Sequence, residues 1–215
     1  SGSNSVKIED HFIPKSYVTY GYAAWRAPET TQNGTPGPRI HGPPLSLERT
    51  SGPYQMSLVT QAIGAARAAI DEFETIIMRR EVRNQPGVKR YQHIDFQRTW
   101  GQATSLADAA EGILLAVGDR YAWQCKRWAE TGVAASMEDE LRQWTMIHQG
   151  GRLASEAVEL VFCNASSAAT KKGQKIERYY RDVAVYKSHT SSQLLNFAAP
   201  VARAHFGLPI EMFGM

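Results

Sequence analysis

"MSLVTQAIGAARAAIDEFETII" (56–77) places an apolar residue at every third or fourth position. Met56, Val59, Ile63, Ala66, Ile70, Phe73 and Ile77 fall on one stripe of a long helix at the 3.6-residue period. "RNQPG" (83–87) ends the pattern, with Pro86-Gly87 as the stop. A second helix is predicted from about Asp95 to Glu130, striped by Ala103, Leu106, Ala110, Leu114, Val117, Tyr121 and Trp128. "TGVAAS" (131–136) turns the chain, and Ser136 with Asp139 forms a variant N-cap box. The third helix carries Met137, Leu141, Trp144, His148, Gly151, Ser155, Val158 and Phe162 on its stripe. After "SSAATKKGQ" (166–174), two shorter helices are expected at 175–187 and 191–206. Residues 55–215 thus predict a mainly α fold, an up-down four-helix bundle with an accessory helix.

Upstream the pattern changes. "SVKIEDHFIPKSYV" (5–18) alternates Val6 and Ile8 with Lys7 and Glu9 before Pro14, which reads as one β-strand. A single strand cannot satisfy its own ladder, so it requires a partner chain or a domain outside this sequence. Residues 26–54 hold six of the ten prolines (Pro28, Pro36, Pro38, Pro43, Pro44, Pro53) and read as a long irregular loop.

The 215-residue, 23.9 kDa chain can bury one substantial core. Its 43% hydrophobic and 21% charged residues are ordinary for a globular protein. No apolar run approaches the roughly 18 residues a membrane span needs. The net charge of +3 is mild and its bases are interleaved with acids, which argues against nucleic acid as a partner. Cys125 and Cys163 lie in apolar helical segments without metal-type spacing, so buried free thiols in a reducing compartment are expected. No leader pattern is visible, and a cytoplasmic location is the expectation.

Several chemistries lack their motifs. There is no Gly-rich phosphate loop, no GxGxxG after a strand, and no E-x-x-H or H-E-x-x-H, and the histidines show no close ligand spacing. His148 is expected as a core residue with a satisfied hydrogen bond. His205 suits the C-terminus of the last helix. Tyr17, Tyr20, Tyr22 and Trp25 form an aromatic cluster that fits packing at a domain junction or part of a ligand pocket. His189 lies at a helix-to-helix junction among Ser188, Thr190, Ser191 and Ser192. From its residue type alone it reads as a turn residue bonded to a carbonyl, or as a chemical group.

Three segments together carry a family resemblance. "SGSNSVKIEDHFIP" (1–14) resembles the end of the middle β-domain of the acyl-CoA dehydrogenase superfamily, where a Gly-Ser-rich turn leads a strand to an Ile-Pro or Val-Pro step. "AIGAARAAIDEF" (62–73) resembles the first long helix of its C-terminal bundle, and "IERYYRDV" (176–183) its Glu-Arg-x-x-Arg-Asp signature. The resemblance implies that residues 1–25 end a β-domain, that 26–54 is a connecting loop, and that 55–215 is the bundle.

Two activities compete within that superfamily. Acyl-CoA dehydrogenases use a carboxylate base, often shortly after Arg-Asp. "RDVAVYKSHTSS" (181–192) has His189 and Thr190 there instead, and "SSAAT" (166–170) replaces the Gly-Gly-x-Gly segment. A base on the first bundle helix, among Asp71, Glu72 and Glu74, keeps that reading open. The flavin-dependent monooxygenases of this fold have a His beside the isoalloxazine some residues after Arg-Asp, which "RDVAVYKSH" matches. This resemblance implies His189 as a catalytic group that donates a hydrogen bond or shuttles a proton in oxygen chemistry, oriented by its hydroxyl neighbours. Ser188 and Thr190 would then touch the cofactor. It also implies reduced FMN or FAD from a flavin reductase, O2 as co-substrate, a small organic substrate, and a homotetramer. Arg83 and Gln97 would reach the flavin of a neighbouring subunit, whereas Arg181 and Asp182 are expected to form a structural ion pair. A third reading is a non-catalytic half of a larger assembly.

Overall fold

The computed structural model describes residues 4–17, 40–42, 45 and 51–210. Five α-helices carry it: α1 (Ser51–Arg79), α2 (Ile94–Thr131), α3 (Met137–Ala165), α4 (Lys175–Ser188) and α5 (Leu195–His205). Two short strands, β1 (Glu81–Val82) and β2 (Gln85–Lys89), and 3-10 turns at Lys15–Tyr17, Arg90–Gln92 and Thr190–Ser192 complete the described elements. None of the described helices is long and apolar enough to cross a membrane.

The periodic stripe of α1 is the core. Val59, Ile63, Ala66, Ile70, Phe73 and Ile77 are all buried, and only Met56 at its start is partly exposed. α2 reaches this core through small residues, Ala103, Ala107 and Ala110, with Val117 beyond them. Small side chains let helices approach closely: a Cβ added to Gly150 of α3 would stand 3.3 Å from the Ala110 carbonyl oxygen. α3 is the central helix, packed against α1, α2, α4 and α5. That position explains why its buried residues, from Glu140 to Ala165, extend well beyond one stripe. A smaller cluster, Leu141, Trp144 and Phe197, fastens α5 to the first half of α3.

Helix ends follow local chemistry. The Ser136 hydroxyl accepts from the Asp139 N–H at 3.0 Å, and Glu138, Asp139 and Glu140 complement the positive end of the α3 dipole. His93 caps α2 by accepting from the Asp95 N–H at 3.3 Å. Gly132 closes α2 in the left-handed region at φ 71, a conformation that costs an L side chain free energy. Gly132→Ala should therefore destabilise the protein by about 1 kcal/mol in urea unfolding, with an unchanged denaturant slope.

Four expectations are corrected here. The stretch from 4 to 14 forms no strand; Val6, Ile8 and Phe12 are exposed, and none of the described strands pairs with it. The stop at Pro86-Gly87 is instead part of a β-hairpin, in which β1 pairs antiparallel to β2 with Glu81 opposite Lys89. The last helix begins at Leu195 rather than 191, because Thr190–Ser192 form a separate 3-10 turn. Cys125 is buried, but Cys163 is exposed on the outer face of α3. The Pro-rich stretch 26–54 and the aromatics Tyr20, Tyr22 and Trp25 fall almost entirely outside the described residues; Tyr17 is exposed.

Candidate functional site

α4 ends where its sequence loses apolar residues. Ile176 and Val183 are its buried anchors, and Tyr180 stacks on Phe162 of α3 with ring centroids 4.0 Å apart. The charged residues of the signature pair along the helix. Arg181 binds Glu177 at 3.2 Å, and Arg178 binds Asp182 at 3.8 Å. The expected Arg181–Asp182 pair does not form, since i and i+1 side chains point apart on a helix while i and i+4 meet.

The chain then turns at His189. Its N–H donates to the Tyr186 carbonyl at 3.1 Å, ending α4, and its carbonyl accepts from the Ser192 N–H at 2.9 Å. The side chain caps the 3-10 turn that follows. Nδ1 accepts from the Ser191 N–H at 3.3 Å and lies 2.6 Å from the Ser191 hydroxyl. A backbone N–H can only donate, so Nδ1 is the acceptor and the neutral ring carries its proton on Nε2. The imidazole is exposed, and it presents an N–H donor of fixed tautomer. His189 is therefore a turn residue, as its type alone suggested: its backbone N–H bonds a carbonyl, and its side chain bonds Ser191.

The neighbouring hydroxyls have other tasks. Ser188 Oγ donates to the Val185 carbonyl at 2.8 Å. The Thr190 carbonyl accepts from Asn196 Nδ2 at 3.0 Å, which ties the turn to α5. No carboxylate lies between Tyr186 and Gln193. Beside the turn, Ser155, Glu159, Tyr180, Val183, Ala184, Lys187 and Ser188 line a groove of about 280 Å³ whose Lys187–Glu159 pair spans 3.2 Å.

Behind the turn lies a buried polar group that sequence reasoning missed in part. His148 is 1% exposed, stacks on Phe197 at 4.4 Å, and has no hydrogen bond at either ring nitrogen. Its place in the core was expected and its satisfied hydrogen bond is not found. Burial holds its pKa down to about 4, so the ring is neutral. The buried hydroxyls of Tyr186 and Ser192 lie close enough to influence each other without a well-aligned hydrogen bond, and burial pushes Tyr186 up to about 12. His205 sits in the last turn of α5 as expected and also pairs with Glu138 of α3 at 3.2 Å.

Arg83 and Gln97 stand elsewhere. Arg83 is exposed at the hairpin tip, and Gln97, exposed on the first turn of α2, donates to the Tyr91 carbonyl at 3.1 Å. The hairpin base is bound to Ala165 and Ser166, whereas the Tyr186 ring that precedes the His189 turn packs at Gly151. Fourteen residues of α3 separate those levels, about 21 Å along its axis at 1.5 Å per residue. The structure brings Ser188, His189 and Thr190 together and leaves Arg83 and Gln97 at the other end of the bundle. Among the described residues no cluster of three or more His, Cys, Asp or Glu side chains could hold a metal ion.

Comparison with known proteins agrees with this architecture. The chain is 27% identical over 214 residues to a pigment production hydroxylase of Rhodococcus sp. (strain ATCC 21145), which covers 98% of this chain and 51% of that protein. It spans about half the length of this curated relative. Similar solved structures include XiaF from Streptomyces sp. in complex with FADH2 and glycerol (TM-score 0.68, 18% identity, 80% of this chain and 43% of that one). The HsaA monooxygenase from M. tuberculosis is similar at TM-score 0.69 and 15% identity, over 85% of this chain and 45% of that one. At these identities the solved structures speak for the fold. The family model for the acyl-CoA dehydrogenase C-terminal domain matches residues 56–194, from the first stripe of α1 to just past the His189 turn. The chain belongs to the acyl-CoA dehydrogenase C-terminal domain family.

Proposed function

We propose that the chain is the helical-bundle part of a flavin-dependent monooxygenase, an oxygenase component that oxidises a small organic substrate. The observation that carries this reading is the His189 turn: an imidazole whose Nδ1 accepts from Ser191, which leaves Nε2 as the N–H donor, and no carboxylate from Tyr186 to Gln193. A dehydrogenase with its base at this place needs a proton acceptor there, and an Nε2–H group does not supply one. The same donor suits the oxygen-bearing edge of a reduced flavin, so the residues present fit that cofactor. The hydroxylase and monooxygenase names of the similar proteins, and the FADH2 in XiaF, support the reading.

Reduced flavin, when bound, supplies the electrons that activate O2. The chain's own contribution is local. Ser191 fixes the tautomer of His189. Nε2–H donates a hydrogen bond to the reacting oxygen or passes its proton. Ser188 and Thr190 would hold the cofactor beside it. Arg83 and Gln97, on the hairpin side of the bundle, serve the flavin of a neighbouring copy, within a homotetramer with shared cofactor sites. In this reading residues 1–25 close a β-domain and 26–54 link it to the bundle. The cofactor is FMN or FAD delivered by a separate flavin reductase, in the cytoplasm.

An anaerobic titration of the full-length protein with reduced FMN and reduced FAD tests the assignment. Saturable binding of a reduced flavin, followed by its oxidation on admitting O2, is the expected result. Reduction of bound oxidised flavin by acyl-CoA thioesters, with no response to O2, would overturn it.

A further inference from the structure

The seat of Tyr186 on α3 is unusually specific. A Cβ added to Gly151 would overlap the Tyr186 hydroxyl and stand 2.7 Å from its Cζ and 3.0 Å from its Cε1. Real side chains do not approach so closely, so Tyr186 occupies space that only a glycine leaves open. Gly151 itself sits in regular helix, and its backbone conformation makes no demand for glycine. The close approach is what requires it.

From that seat Tyr186 reaches both ends of the His189 turn. Its carbonyl accepts the His189 N–H at 3.1 Å, and its buried hydroxyl lies beside the buried hydroxyl of Ser192, the last residue of the turn. The remaining ties come from outside: Ser188 to Val185 along α4, and Asn196 of α5 to the Thr190 carbonyl. A turn on the surface thus rests on one aromatic ring inserted into the central helix. His148, one helical turn before Gly151, holds Phe197 by stacking and so fixes the side of α5 that meets the turn.

We propose that Tyr186, seated in the gap left by Gly151, is the positioning residue that sets the place of His189. This rests on the assignment of His189 made above. The proposal defines an order of effects. Gly151→Ala drives the ring outward and carries the turn with it. Tyr186→Phe removes the atom that a Cβ at 151 would overlap while keeping the ring and the backbone bond. The pair must therefore interact: the phenylalanine should partly rescue the alanine.

Crystal structures of the full-length wild type, Gly151→Ala and Gly151→Ala/Tyr186→Phe give the first readout. The expected result is an outward shift of the 186–192 segment in the single variant that is reduced in the double variant. The second readout is product formed per O2 consumed, which should fall roughly tenfold in Gly151→Ala and recover in part in the double variant, since misplacement by about 1 Å is costly in a reacting geometry. An unmoved His189 turn in Gly151→Ala, or a double variant no better than the single, overturns the positioning role. A turn that moves and is restored, with coupling unchanged throughout, upholds the positioning and counts against His189 as the catalytic group.

Discussion

His189→Ala in the full-length protein should leave the bundle folded and lower product formed per O2 consumed on the order of 10²-fold, with hydrogen peroxide released in its place. The structural cost is bounded by what the imidazole touches. It is exposed, and its contacts are the Ser191 N–H and hydroxyl. Losing a cap of this kind costs about 1 kcal/mol. The chemical cost is different in kind: from Tyr186 to Gln193 the other side-chain nitrogen donors are Lys187, which pairs with Glu159 at 3.2 Å, and the Gln193 amide, which sits beyond the turn. Thermal unfolding and a peroxide assay on the same preparation separate the two. Coupling equal to wild type would remove His189 from the chemistry.

The second large effect is acid sensitivity through His148. Its folded pKa is held down to about 4 by burial, against an ordinary value of 6.5. Between those values the unfolded chain binds a proton that the folded chain refuses, so stability falls as pH drops from 6.5 towards 4 and is unaffected by this residue above that window. The gap corresponds to about 3 kcal/mol. His148→Phe keeps a planar ring against Phe197 and cannot be protonated. Urea unfolding across this range should show wild type losing about 3 kcal/mol more than the variant. Parallel curves would mean that the imidazole finds a proton-accepting partner on acidification. The carboxylates of Asp139 and Glu81 are lowered from their ordinary range, Asp139 chiefly by the Ser136 hydroxyl and Glu81 by the Gly87 N–H. Their contribution falls as pH drops through the ordinary carboxylate values, 4.5 for Glu81 and 3.8 for Asp139, so it overlaps the lower end of the His148 window but falls equally in both proteins.

The bundle was legible because burial obeys helical period. Val59, Ile63, Ala66, Ile70, Phe73 and Ile77 declare one face, and that face is the core. The turn at His189 was legible through the charge signature before it and the hydroxyls around it. What escaped had no periodic trace. The hairpin is built from "EVRNQPGVK" (81–89), which is polar, short and interrupted by proline, and its pairing depends on Glu81 meeting Lys89 in space. The strand-like alternation of Val6 and Ile8 was real, but alternation states a tendency and a ladder needs a second strand. The Tyr186–Gly151 fit joins residues 35 positions apart, and only the crossing of α3 and α4 reveals it. His148 sits on a stripe in which any apolar ring would fit, so its lack of hydrogen bonds could not be inferred from spacing.

The hairpin's base carries a consequence for how the molecule opens. Arg90 Nη1 donates to the Ala165 carbonyl at 3.0 Å, and Arg80 Nη1 donates to Ser166 Oγ at 2.8 Å, at the point where α3 leaves helix with Ser166 at φ 115. That backbone region is costly for a serine, and the guanidiniums on either side hold the residue there. Among the described residues Arg90 pairs with no carboxylate, and burial together with Arg80 lowers its pKa; it is committed to the Ala165 and Glu81 carbonyls and to the face of Phe96, 5.2 Å away. The last turn of α3 and the two strands thus form a single cooperative unit. Fraying of either one gives up the hydrogen bonds that hold the other. Arg83 rides on this unit beyond its last tie, so whatever it meets is approached from a base that yields only as a whole.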